Sequence, residues 1–254
     1  MFTEEFQMSA NAAKAKVSML KKNPLGYFAL SMLAGMFIGF GILIAFSCGG
    51  YLAGAAYTKI VMGLSFGVAL SLVVMAGGEL FTGSNLVMAS GLIKKTITAG
   101  EAIKLWVVCW LGNLVGAIIL AFVYYYSGLA NGAIGEFMAA GALAKMTAPV
   151  SQLFCRAILC NILVCLAVWC GFRCKNEVAK LIMIFWCLYV FITCGFEHSI
   201  ANMTLFTEAM LNPCGQAVSM TGYITNLVVV TLGNMVGGII FVAVPYALAA
   251  KEEK

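Results

Sequence analysis

Charge is what this sequence has least of. Only 10% of its 254 residues are charged, against 63% that are hydrophobic, where a soluble domain carries about 25% charged residues. With a mean hydropathy of +1.00, that shortage excludes a water-soluble globular domain and leaves an integral membrane protein. Histidine is nearly absent: His198 stands alone, so a membrane haem subunit with two histidine ligands is excluded. Proline is confined to Pro24, Pro149, Pro213 and Pro245, so the paired Asn-Pro-Ala turns of a neutral-solute channel are missing. Cysteine is plentiful but unpaired in pattern: Cys160, Cys165, Cys170 and Cys174 lack the C-x-x-C spacing of a zinc site. Thiols scattered along apolar segments behave as small buried hydrophobes, and neither a metal nor a cofactor is expected. No nucleophile–base set is visible, which argues against an enzyme. The formal charge of +5 is spread between apolar runs, so it marks topology and not a nucleic-acid partner.

What is there is a series of apolar runs long enough to cross roughly 30 Å of hydrocarbon. Residues 1–25 are polar and basic, without the apolar core of a signal peptide. They read as an amphipathic arm lying on the membrane surface and stopped by Asn23-Pro24. A channel domain over 26–250 follows, with a short charged tail at 251–254. Its spans are expected at Tyr27–Cys48, Ile60–Ala76 resuming at Asn85–Ile93, and Trp106–Tyr126. Three more lie at Phe154–Phe172, Leu181–Cys194 resuming at Ile200–Leu211, and Tyr223–Ala249. The stretch from Ser127 to Ser151 is Gly- and Ala-rich and reads as a connection. All Lys and Arg except Lys59, Lys145 and Arg156 fall in the N-terminal arm, the 94–104 and 173–180 loops and the tail. By the positive-inside rule both termini are cytoplasmic, and Lys145 is an unusual cation on the opposite side.

The chain repeats itself. Leu111-Gly112-Asn113-Leu114-Val115-Gly116 matches Leu232-Gly233-Asn234-Met235-Val236-Gly237, and Gly77-Gly78-Glu79 matches Gly195-Phe196-Glu197. Three spans per copy place the second copy in the membrane upside down, so repeat one (about 26–126) and repeat two (about 150–249) are inverted. Each Gly-x-Glu sits where an apolar helix should run on unbroken. An ionisable residue at membrane depth marks function, and paired interruptions in corresponding halves mark a transport site.

Breaking a helix in lipid leaves backbone groups that must be satisfied inside the protein. Thr82, Ser84 and Ser199 are natural caps for the resumed helices. Asn113 and Asn234 are expected to hydrogen-bond the broken backbone rather than touch a substrate. Glu79 and Glu197 are expected to accept from the N–H groups of their own loops, a proton-relay role being the alternative. The two resumed helices point their N-termini at the membrane centre, which favours an anion. His198, beside Glu197 within the second break, either hydrogen-bonds a passing anion or exchanges a proton with it.

These motifs, GGELFTG, the Lys145 connection, CNILVCLAVW, GFEHSIANM and LGNMVGG, resemble the formate/nitrite transporter family over nearly the whole chain. The resemblance implies an all-α, aquaporin-like fold of six transmembrane helices with the second and fifth broken, in the bacterial inner membrane. It implies a homopentamer with one pore per subunit, passing small monovalent anions of weak acids such as formate, nitrite or hydrosulfide. By this likeness Leu80 and Phe191 form the cytoplasmic constriction and Phe66 with Val164 the outer one. Thr82, His198 and Asn202 line the polar chamber between them, Lys145 is the outer lysine, and Asn161 and Asn234 are buried asparagines. The flavour of the chain is closest to the hydrosulfide-conducting branch. An aquaporin-like channel for neutral solutes is the alternative.

Overall fold

The structure, a computed structural model, describes residues 2–250, so the tail expected at 251–254 lies outside the described residues. Among the described residues every regular element is helical. α1 (Thr3–Lys22) is followed by α2 (Pro24–Tyr51), entered through Asn23, whose side chain accepts from the Gly26 N–H. α3 (Thr58–Phe66) and α4 (Val68–Leu72) run on into a π-helical turn at Val73–Gly77, and α5 (Phe81–Ile93) resumes after a three-residue gap. α6 (Ala99–Tyr126) starts in a capping box between Thr98 and Glu101. α7 (Ala133–Met146), α8 (Val150–Arg173), α9 (Glu177–Thr193) and α10 (Ser199–Leu211) come next. α11 (Met220–Gly238) continues through a second π turn at Ile239–Ala243 into α12 (Val244–Ala249).

Among the described residues, five continuous helices are long and apolar enough to cross a membrane: Pro24–Tyr51, Thr58–Gly77, Ala99–Tyr126, Val150–Arg173 and Met220–Ala249. α9 and α10, of 17 and 13 residues, are separated by a break and are each too short to qualify. Both breaks turn on glycine for the same reason. Gly77 has φ +85 and Gly195 has φ +74, a left-handed conformation that any Cβ would strain.

The two halves pack by the same device. A Cβ on Gly116 of α6 would overlap the Met32 carbonyl oxygen of α2, and one on Gly237 of α11 would overlap the Ile158 carbonyl oxygen of α8. These small residues let backbones touch where larger side chains would hold them apart. α2 therefore lies on α6, and α8 on α11.

One short helix differs from expectation. The 127–151 stretch is not a bare connection, because α7 occupies most of it. α7 buries Ile134, Met138, Ala142 and Met146, one residue per turn on a single face, against α2, α10 and α11. α1 buries Phe6, Ser9, Ala10, Ala13, Val17 and Leu20, and this face packs against α5. Its hydroxyl-bearing residue Ser9 bonds Ser90 of α5 at 3.0 Å.

Candidate functional site

The site is built from the two breaks, and each break is held by an asparagine from a neighbouring helix. Asn113 Oδ1 accepts from the Phe81 N–H at 3.0 Å, while its Nδ2 donates to the Ser31 and Glu79 carbonyls at 2.7 and 2.8 Å. Asn234 repeats this: Oδ1 accepts from the Ser199 N–H at 3.0 Å, and Nδ2 donates to the Ala157 and Glu197 carbonyls at 2.9 and 3.0 Å. Both asparagines have no exposed surface. Asn161 links the two sets, donating to the Asn234 carbonyl at 2.6 Å and the Thr82 carbonyl at 3.3 Å.

Three expectations about the breaks are corrected by this geometry. Thr82, Ser84 and Ser199 do not cap the resumed helices. The cap position of α5 is Leu80, which offers no side-chain acceptor, so Asn113 supplies one from α6. The cap position of α10 is His198, whose Nδ1 accepts from the Ala201 N–H at 3.1 Å. Nor do the carboxylates of Glu79 and Glu197 accept from their own loops. Glu79 sits 2.6 Å from Lys16 Nζ through both oxygens and accepts from the Tyr27 hydroxyl at 2.9 Å. Glu197 pairs with Lys145 Nζ at 2.8 Å and accepts from Asn202 Nδ2 at 2.7 Å. A buried carboxylate needs charge compensation, which neutral amides supply less well than an ammonium group. Each surface helix thus sends one lysine inward, α1 to the first break and α7 to the second.

The resumed helices meet head to head. Thr82 Oγ1, in the first turn of α5, lies 3.0 Å from His198 Nε2 at the start of α10. The Ala201 N–H can only donate, so His198 Nδ1 is the acceptor and the neutral ring carries its hydrogen on Nε2. That hydrogen goes to Thr82 Oγ1, which leaves the threonine hydroxyl hydrogen free to point elsewhere.

Two of the residues expected at the constrictions touch each other. Phe66 lies against Phe191, ring centroids 5.2 Å apart and planes at 75°, and Phe191 stacks on the His198 ring at 5.8 Å and 12°. Phe66 and Phe191 therefore make one aromatic layer over the histidine, where Phe191 had been grouped with Leu80 and Phe66 with Val164. Leu80 lies instead along a separate cavity of ≈ 260 Å³ on the side of α1, lined also by Lys16, Val73, Gly83, Val168 and Phe172. Val164 is buried on α8 one turn before Val168.

The formate/nitrite transporter profile matches residues 3–248 of the chain. The chain belongs to this family. Among similar proteins, the nitrite transporter NirC of Salmonella typhimurium is 40% identical over 257 residues, spanning 100% of this chain and 94% of its own length. A solved structure described as an FNT family ion channel superposes with a TM-score of 0.93 at 38% identity, covering 98% of this chain and 100% of that one. A second, a pentameric formate channel with formate bound, gives a TM-score of 0.80 at 33% identity over 90% and 98% of the two chains.

Within this formate/nitrite transporter family member, several residues that shape the site carry no motif. Lys16 and Tyr27 hold Glu79 from α1 and α2. Asn226 accepts from Asn202 Nδ2 at 2.9 Å and donates to the Lys145 carbonyl at 3.0 Å. Asn226 lies on the face of α11 that carries Asn234 two turns later, a periodicity readable in the sequence. Glu208, buried on α10, has no partner for either carboxylate oxygen, and neither does the Thr204 hydroxyl one turn before it. The ten cysteines are free, and Cys109 donates to the Glu79 carbonyl at 3.2 Å.

Proposed function

We propose that this transporter passes small monovalent anions of weak acids, formate, nitrite or hydrosulfide, through a chamber lined by Thr82, His198 and Asn202. The observation that carries the reading is the Thr82–His198 contact. It brings two helix N-termini together among buried residues, with the Phe191 ring against His198. Each N-terminus contributes about half a positive charge, and these ends attract an anion even though Lys16 and Lys145 are neutralised by Glu79 and Glu197. Phe66 with Phe191, and Leu80 with Val164, serve as the dry constrictions that strip water from what passes.

In this reading six spans form two inverted repeats, one over about 26–126 and one over about 150–249. The matched asparagine brackets and matched lysine–glutamate pairs support it. Residues 1–25 are the cytoplasmic arm, 26–250 the channel domain, and both termini are cytoplasmic in a bacterial inner membrane. The assembly is a homopentamer with a pore in each subunit, in keeping with the described pentameric neighbour. Relatives named as transporters and channels support a protein without catalytic activity.

The finer part of the proposal is that His198 hydrogen-bonds and does not exchange a proton. Charging the ring puts a hydrogen on Nδ1 and gives up its bond from Ala201, so the geometry supports a neutral histidine that donates to Thr82. The permeant is then steadied by the free Thr82 hydroxyl.

The experiment is uptake into proteoliposomes challenged in parallel with formate, nitrite, hydrosulfide and glycerol, corrected for protein-free vesicles. Uptake of the weak-acid anions with glycerol excluded supports the reading. Glycerol uptake without anion uptake overturns it in favour of a neutral-solute channel.

A further inference from the structure

The orientation of the Asn202 amide is forced by a chain of one-way hydrogen bonds. It begins at the Lys145 main-chain carbonyl, which can only accept, so the group of Asn226 that reaches it at 3.0 Å is the Nδ2 amine. Asn226 must then present Oδ1 to its other neighbour, Asn202, at 2.9 Å. Glu197 Oε2, whose carboxylate is paired with Lys145, is likewise an acceptor, and it lies 2.7 Å from Asn202. Both hydrogens of Asn202 Nδ2 are thereby used, one on Glu197 and one on Asn226. Asn202 Oδ1 bonds to nothing in the protein. Unlike the sealed hydroxyl oxygens of Ser199 and Thr204, it keeps a trace of free surface on a side chain that is otherwise buried. It sits one helical turn beyond His198, on the same face of α10.

An amide oxygen facing a permeation chamber is an acceptor. It repels a bare anion and welcomes a solute that brings a hydrogen of its own. Thr82 supplies the complementary feature, since its oxygen accepts from His198 Nε2 and its hydrogen is free to donate. A free donor on Thr82, which is bonded to His198, and a free acceptor one turn beyond His198 match an undissociated carboxylic or nitrous acid, or hydrosulfide with its S–H. They match nitrate or chloride poorly.

We propose that Asn226 is a positioning residue that fixes the Asn202 amide with its oxygen toward the chamber, so that this site selects permeants bearing an acidic hydrogen over bare anions. The proposal rests on the permeation reading above and specifies the form of permeant that the site prefers. Asn226 acts through Asn202 and through α7, whose last turn it anchors at Lys145. Without Asn226, Asn202 keeps only one fixed acceptor, and its amide is free to turn its amine toward the chamber.

The test is the ratio of nitrate to formate uptake at one acidic pH in proteoliposomes, with protein-free vesicles subtracted. Nitrate is a planar monovalent anion that stays unprotonated there, whereas formate equilibrates with formic acid. The wild-type chain is compared with Asn226→Ala and Asn226→Asp. The aspartate variant keeps an acceptor for Asn202 Nδ2 but loses the donor to Lys145. The proposal expects the ratio to rise about tenfold in Asn226→Ala, the scale set by one hydrogen bond to a strongly polar partner. It expects no rise in Asn226→Asp, whose oxygen still accepts from Asn202 and whose added charge disfavours nitrate. Should the alanine variant not purify, Asn226→Ser, too short to reach both partners, takes its place with the same expectation. An unchanged ratio in the alanine or serine variant overturns the proposal, and so does an equal rise in both the alanine and aspartate variants. A wild-type chain that takes up no weak acid at all instead overturns the proposed function, and this inference with it.

Discussion

Replacing Asn234 with alanine is the sharpest perturbation of the architecture, because one side chain bonds three buried backbone groups. Asn234→Ala would orphan the Ser199 N–H and the Glu197 carbonyl and would remove a second bond from the Ala157 carbonyl, which lies within α8. At about 1–3 kcal/mol for each of the two groups left unsatisfied, the loss is about 2–6 kcal/mol. Water cannot repair it, since Asn234 has no exposed surface and the neighbouring backbone is helical. Asn113→Ala removes the same three kinds of contact around Phe81, Ser31 and Glu79 and should cost a similar amount. The assay is the unfolding free energy in mixed micelles, followed by helical signal, for both variants and the wild type. Losses that match within about 1 kcal/mol, the usual spread of single hydrogen-bond effects, are expected if the two brackets are equivalent. A loss below about 1 kcal/mol for either variant, less than one orphaned group costs, would refute the reasoning that these asparagines hold the breaks.

Three further outcomes follow from the same geometry. Lys145→Ala leaves the Glu197 carboxylate, 2% exposed, without its counter-charge; unfolding should become easier by about 3–5 kcal/mol, and adding Glu197→Gln should recover most of that, measured by the same micelle titration. Phe191→Ala removes the ring between Phe66 and His198; lactate uptake should rise relative to formate, and an unchanged size cutoff would show that this layer is not the narrow point. Glu208→Leu replaces a buried carboxyl group that bonds to nothing; the thermal midpoint should rise, in line with a gain of about 1–3 kcal/mol from removing an unsatisfied polar group.

The breaks, the asparagines and the lone histidine were legible in the sequence because each violates the local rule of an apolar helix. A Gly-x-Glu inside a hydrophobic run has no bland explanation, and its recurrence beside a repeated Gly-Asn helix tied the halves together. What could not be read was who bonds whom. Serine and threonine near a helix start suggest caps, yet Asn113 reaches in from another helix and takes the position. Glu79 finds Lys16 on α1 and Glu197 finds Lys145 on α7, partners far away in sequence. Phe66 and Phe191 entered through the family likeness, and only packing shows that their rings touch. α7 hid behind its glycines and alanines, although Ile134, Met138, Ala142 and Met146 recur once per turn.

The central claim is that weak acids pass a chamber whose histidine stays neutral and acts only as a hydrogen-bond donor. His198→Asn tests it directly. Asparagine is a favoured helix N-cap, so its oxygen can accept from Ala201 while its amine donates to Thr82, yet it cannot titrate. Formate uptake by proteoliposomes, measured across pH for both chains, gives the answer. Uptake that keeps its dependence on pH in His198→Asn, at whatever reduced rate, is the predicted result. Loss of that dependence, with an anion leak remaining, would show that His198 hands a proton to the permeant and would contradict the claim.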